Sequence, residues 1–185
     1  MRPHHVDDVM ITPRQLERRV DELASEMAAG GRRDNLAVIG ILRGSFIFMA
    51  DLVRWFSVHD LHPRIDFLIM ESYGHSTTPE KEPTVTRDCT LDLAGADVVL
   101  VDDILDTGRT LQKAVAHLAA KGAARVRTCA LLDKPARRVV PFEADYVGFS
   151  IEDAFVVGYG LDYDGMHREL PHIAKVTFTD GAEGG

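Results

Sequence analysis

Apolar residues recur along the chain with two periods, and each period predicts a different element. Leu16, Val20, Leu23, Ala24 and Met27 fall on one face of a helix. Ahead of them, Thr12-Pro13-Arg14-Gln15 supplies a cap, a first-turn proline and the glutamine of a capping box, and Gly30-Gly31 ends the run. The arginines of this helix (Arg14, Arg18 and Arg19) are expected on its outer face. Leu36 to Leu42 is a continuous apolar run with β-branched residues, which predicts a central strand, and Phe46 to Phe56 reads as a helix. Ile65 to Met70 predicts a strand, with Val85 to Leu91 as its hairpin partner. Val98 to Val101 predicts another buried strand. Leu111, Val115, Leu118 and Ala119 then return to the helical period until Gly122. Val126 to Leu132, Tyr146 to Phe149, Phe155 to Gly158 and Lys175 to Phe178 complete the strands. Strands alternating with helices predict an α/β fold with a mostly parallel sheet, its binding residues gathered at the strands' C-terminal ends.

Length and composition narrow this only a little. The 185 residues, 45% of them hydrophobic, suffice for one core and are too few for two comfortable domains, so residues 1–185 read as a single domain. A formal charge of −8 disfavours a broad nucleic-acid surface. No apolar stretch reaches membrane-spanning length, and MRPHHVDDVM lacks the apolar core of a signal peptide. Cys89 and Cys129 are far apart and read as reduced thiols, which suits a cytoplasmic protein. His4 and His5 are expected in a loose terminus.

The candidate chemistry lies in Val98 to Thr110, VVLVDDILDTGRT. An apolar strand leads to Asp102-Asp103, then Ile104-Leu105, then Asp106-Thr107-Gly108-Arg109-Thr110 at a helix start. Unpaired backbone N–H groups and the helix dipole make such a junction a phosphate site. Gly108 permits close backbone approach, and the hydroxyls of Thr107 and Thr110 can donate to phosphate oxygens. There is no Walker lysine. The paired carboxylates suit sugar hydroxyls, or a metal that bridges to a further phosphate. A phosphorylated sugar is the ligand this combination implies. Arg43-Gly44-Ser45 forms a second strand-to-helix junction, where a cation and backbone N–H groups suit a pyrophosphate. The polar tract HSTTPEKEPT after Ser72-Tyr73-Gly74 is long for a passive connector and reads as a mobile lid.

The stretch resembles the phosphoribosyl diphosphate (PRPP) motif of the type I phosphoribosyltransferases, matching it at every position except the first acidic one, where Glu is more common than Asp102. The likeness continues through Leu132-Asp133-Lys134-Pro135, Asp145 to Phe149 and Phe155-Val156-Val157-Gly158-Tyr159-Gly160-Leu161-Asp162-Tyr163. In these segments the chain is similar to the hypoxanthine/guanine phosphoribosyltransferases, from the first helix to Phe178. The resemblance implies the type I fold: a mostly parallel central sheet flanked by helices, with a small hood and a mobile lid carrying Ser72 and Tyr73.

It also implies roles. Asp102 and Asp103 would hold the ribose hydroxyls, while Asp106, Thr107, Gly108, Arg109 and Thr110 would hold the 5′-phosphate. Arg43, Gly44 and Arg168 would meet the pyrophosphate. Asp162, with Asp102 and Asp103, would hold Mg²⁺. Asp106 would take the proton from purine N7. Lys134 would donate to the 6-oxo group, Phe155 would stack on the ring, and Val156 and Asp162 would present backbone groups to its edge. The implied substrates are PRPP and a 6-oxopurine base, the products IMP or GMP, and the assembly a homo-dimer or tetramer without nucleic-acid or membrane partners. A xanthine- or guanine-preferring transferase remains open, as does a regulator that senses nucleotide and binds nucleic acid. The acidic balance and the complete catalytic set count against the regulator.

Overall fold

A computed structural model of the chain describes residues 2–29, 31, 34–71 and 82–179. Six strands form one sheet in the order β4-β3-β2-β5-β6-β7. These are β2 (Leu36–Leu42), β3 (Arg64–Glu71), β4 (Thr84–Arg87), β5 (Asp97–Leu105), β6 (Arg125–Asp133) and β7 (Tyr146–Ser150). All neighbours run parallel except β4, which returns antiparallel on β3. The central strands are apolar on both faces because both faces are covered. Val38, Val99 and Val101 meet α1 (Pro13–Ala28) and α2 (Phe46–Val58), whereas Ile39, Val98 and Leu100 meet α3 (Arg109–Ala120).

The first helix forms as its sequence predicts. The Thr12 hydroxyl accepts from the Gln15 N–H, and the Gln15 side chain accepts from the Thr12 N–H at 2.9 Å. Leu16, Val20, Leu23, Ala24 and Met27 are all buried. Arg19 departs from the expectation of an outer face. Its guanidinium reaches across to the Gly148 and Val147 carbonyls at 3.0 and 2.8 Å, clamping α1 to the edge strand β7.

A second, three-stranded sheet, β1-β9-β8, is formed by β1 (His4–Ile11), β9 (Ile173–Phe178) and β8 (Val156–Val157). His4 and His5 thus belong to an antiparallel strand rather than a loose terminus, paired with Phe178 and Thr177. The partner that orders them lies at the far end of the sequence. This small sheet is the hood. It is tied to α2 by the buried Tyr159, whose hydroxyl donates to Asp51 at 2.7 Å.

Two strand ends differ most from the pattern. The strand expected to stop at Val101 continues to Leu105, because Asp102, Ile104 and Leu105 pair with Ala130, Leu132 and Asp133. The hairpin arm expected over Val85 to Leu91 ends at Arg87, where Asp88 turns the chain by accepting from the Cys89 N–H.

Candidate active site

Strands β2 and β5 are neighbours in the sheet, so their C-terminal ends open side by side. A cleft of about 460 Å³ lies there, lined by Leu42, Arg43, Gly44, Asp102, Asp103, Asp106, Thr107, Gly108, Thr110, Asp162 and Arg168, among others. Three segments far apart in sequence meet in it. Its open volume is smaller than that of a groove between α1, α2 and the hood, at about 770 Å³, but the adjacent carboxylates, Arg43, Arg168 and the loop into α3 converge in the strand-end cleft. Chemistry, not size, marks the site.

The loop from Asp106 to Thr110 leads into α3, with Gly108 as its N-cap in the left-handed region. It is braced by the segment after β6. Val139 and Val140 donate their N–H groups to the Thr107 carbonyl at 3.0 and 3.2 Å. Arg138 donates to the carbonyls of Leu105 and Asp106 and pairs with Asp133. Arg137 reaches the Asp106 carboxylate at 3.1 Å, with Asp153 at 3.8 Å beyond it. Neither arginine belongs to a motif identified in the sequence, and the structure gives both a place against the loop.

Asp102 and Asp103 sit in the last rungs of β5, and Asp102 is only 5% exposed. Burial pushes the Asp102 carboxyl well above the usual carboxylate range, and the neighbouring Asp103 charge adds to the effect. Burial raises Asp103 too, opposed by the N–H groups of Asp103 and Ile104 and by the positive charge of Arg168. The Asp103 side chain lies against Gly44, where any Cβ would overlap it. Gly44 in turn follows the cis peptide between Leu42 and Arg43. The glycine is therefore what lets the two strand-end junctions close on one another.

Arg168 arrives from the hood. It donates to the Gly160 carbonyl at 2.6 Å and pairs with Asp162 at 2.7 Å. Asp162 also accepts from the Gly165 N–H at 2.8 Å. Its carboxylate is thus engaged locally. Among the described residues, no group of three or more His, Cys, Asp or Glu side chains forms a ligand set for a metal. Asp102, Asp103 and Asp162 line one cleft without making a cage. Such a donor set fits Mg²⁺ carried in by a diphosphate, since Mg²⁺ usually keeps waters and takes one or two carboxylates beside substrate oxygens.

The remaining expected residues do not line this cleft. Lys134 is buried beside it, its N–H donating to the Leu105 carbonyl at 3.0 Å. Val156 is buried in β8, and Phe155 stands 42% exposed on the hood. Arg109 lines a different depression, with Glu82, Gln112 and Lys113, because it starts α3 on the outer side of the loop. Ser72 and Tyr73 lie outside the described residues.

Comparison with known proteins follows the same lines. The family model for the phosphoribosyl transferase domain matches residues 8–164. The hypoxanthine phosphoribosyltransferase of Haemophilus influenzae is 42% identical over 183 residues, 97% of this chain and 100% of that one. The hypoxanthine-guanine phosphoribosyltransferase of Bacillus subtilis is 36% identical, with 94% of each chain covered. Among solved structures, a hypoxanthine-guanine phosphoribosyltransferase from Bacillus anthracis superposes with a TM-score of 0.84 at 36% identity, covering 95% of this chain and 100% of that one. A ternary substrates complex of a mutant hypoxanthine phosphoribosyltransferase from Trypanosoma cruzi gives 0.86 at 36% identity, covering 93% and 96%. Fold, cleft and sequence agree, and the chain belongs to the hypoxanthine phosphoribosyltransferase family of type I phosphoribosyltransferases.

Proposed function

We propose that the protein is a purine-salvage enzyme that transfers the 5-phosphoribosyl group of PRPP to N9 of hypoxanthine or guanine, giving IMP or GMP and pyrophosphate. One observation carries the reading: a phosphate-type loop, a buried acidic pair and an arginine-bearing junction share the strand-end cleft.

The roles follow from position. The backbone N–H groups of residues 106 to 110, with the Thr107 and Thr110 hydroxyls, would hold the 5′-phosphate at the α3 N-terminus. Asp102 and Asp103 would accept from the ribose hydroxyls. Arg43, Gly44 and Arg168 would hold the diphosphate, where positive charge counters the negative charge that develops as the C1′–O bond breaks. Asp102, Asp103 and Asp162 would help hold Mg²⁺ that arrives with the diphosphate, and the ion would supply further positive charge against the leaving group. Asp106 would accept the N7 proton as N9 bonds to C1′, and Arg137, 3.1 Å away, holds its side chain in place. Lys134 would donate to the 6-oxo oxygen. An amino group at that position has no lone pair to offer, which is the basis for rejecting adenine. Phe155 would stack on the purine.

We extend the reading to a cytoplasmic homo-oligomer. The family resemblance supports it, and sedimentation would test the assembly. Among the described residues no helix is long and apolar enough to cross a membrane.

Pyrophosphate release with PRPP and Mg²⁺ tests the activity, offering hypoxanthine, guanine, xanthine and adenine in turn. Turnover is expected with hypoxanthine or guanine and not with adenine. Asp106→Asn should lower kcat by about 10²–10⁴-fold, the usual contribution of a positioned proton acceptor. Preferred turnover of xanthine would shift the base assignment, and no turnover with any base despite tight PRPP binding would sink the enzyme reading.

A further inference from the structure

The activity just proposed leaves Tyr163 and the first strand without a role, yet both surround the residue read as the purine platform. Phe155 meets Tyr163 with ring centroids 5.5 Å apart at 87°, and meets Phe178 at 5.4 Å and 73°. Tyr163 and Phe178 also contact each other at 5.2 Å and 68°. These are three edge-to-face contacts, the arrangement that aromatic quadrupoles favour.

The triad is closed from behind by the chain's first residues. The His4 ring sits 4.7 Å from the Tyr163 ring at 73°. The His4 Nε2 lies 3.0 Å from that of His167, in the segment that carries Arg168. The Arg2 guanidinium lies over Phe178 at 5.2 Å, and its backbone N–H donates to the Tyr163 hydroxyl at 3.1 Å.

We infer that Tyr163 and Phe178, backed by His4 and Arg2 at the N-terminal end, are positioning residues for purine recognition: they set the tilt of Phe155, so that β1 takes part in base binding. An exposed phenylalanine beside a two-residue strand has little of its own to fix its ring plane. Stacking strength depends on that plane, and a ring left to rotate loses part of its attraction for the base. Two edge-on neighbours supply the constraint, and residues from the opposite end of the chain hold those neighbours. The proposal rests on the reading of Phe155 as the platform, and its test separates the two.

The measurement is a double-mutant cycle of Phe155→Leu and Tyr163→Leu on the full-length enzyme, reading KM for hypoxanthine and for PRPP separately. Tyr163→Leu is expected to raise the hypoxanthine KM about three- to ten-fold and to leave the PRPP KM in place. Tyr163→Phe, which keeps the ring, should stay near the parent. In the Phe155→Leu background, adding Tyr163→Leu should change the hypoxanthine KM no further, since its effect passes through Phe155.

Independent, multiplying effects would overturn the inference, as would equal rises in both KM values, which mean a general loosening of the hood. A Tyr163→Phe effect as large as that of Tyr163→Leu would mean that the hydroxyl, and not the ring edge against Phe155, carries the effect, and would overturn it too. If Phe155→Leu alone leaves the hypoxanthine KM unchanged, the platform reading itself falls. Should Tyr163→Leu fail to fold, Phe178→Leu runs the same cycle.

Discussion

Gly108→Ala tests whether the phosphate loop has the shape described. The residue has φ +87°, a region where a side chain costs about 1–2 kcal/mol. The added Cβ would also lie 2.9 Å from Val140 Cγ2, 3.1 Å from Phe142 Cβ and 3.2 Å from Arg138 Cδ. Carbon atoms rest at about 3.5–4.0 Å, so all three neighbours must retreat by several tenths of an ångström. Crowding of that kind costs about 1–3 kcal/mol. The combined loss is about 2–5 kcal/mol, equivalent to a fall in Tm of roughly 4–20 °C for a chain of this length. Because Val140 donates to the Thr107 carbonyl, its displacement also moves the loop, and the PRPP KM should rise about tenfold or more. Gly95→Ala is the control. It sits at φ +68° with no atom within 4 Å of a new Cβ, so it should carry the backbone cost alone. Thermal melts and initial rates of both variants decide the matter. A Gly108→Ala protein that melts with Gly95→Ala and keeps the parental PRPP KM would refute the loop geometry.

Arg138→Met keeps the aliphatic stem but removes the donors to Leu105 and Asp106 and the pair with Asp133. Urea unfolding should show a loss of about 2–4 kcal/mol, and the PRPP KM should rise; an unchanged midpoint would mean these bonds are not formed in solution. The acidic pair predicts a pH dependence whose sign can be worked out. With the Asp102 carboxyl raised by burial and by Asp103, the folded state keeps a proton that the unfolded chain releases near its ordinary value of 3.8. The folded state then binds more protons, so the stability of the ligand-free protein falls as pH rises from that value through the raised one. Asp102→Asn should flatten this slope in melts taken across the range, and a slope equal to the parent's would place the buried proton elsewhere.

What the sequence showed and what it hid divide by the range of the interaction. The loop and its flanking elements were legible because a strand, two carboxylates, a Gly108 turn and an amphipathic helix are all written within a few residues of one another. The Thr12 capping box was legible for the same reason. The first strand was not. HHVDDVMI has too little alternation to announce a strand, and its order comes from β9, whose residues lie at the other end of the chain. Helical periodicity sets Arg19 at an angle off the apolar stripe, which reads as an outer face that the structure does not bear out. That angle does not reveal that the β7 carbonyls stand within reach. Arg137 and Arg138 are a similar case: two adjacent cations look like a solvated surface until β6 brings them beside the end of β5.

The same distinction explains how the cleft is held together. Burying a carboxyl pair at the end of a strand is unfavourable in itself, and the strand's own N–H groups offset only part of it. A further offset comes from the hood, which brings Arg168 to the cleft. Arg168 is aimed by the Gly160 carbonyl, and Gly160 lies so close to the Gly44 carbonyl that a side chain there would collide with it. Neighbouring Tyr159 is bonded to Asp51 of α2, which follows the Arg43-Gly44 junction. Hood and sheet therefore meet through backbone contact at two glycines, with a half-buried hydrogen bond alongside. The position of Arg168 relative to Asp103 depends on that docking. The electrostatics of the strand ends are thus a property of how two sheets are joined, and not of either sheet alone.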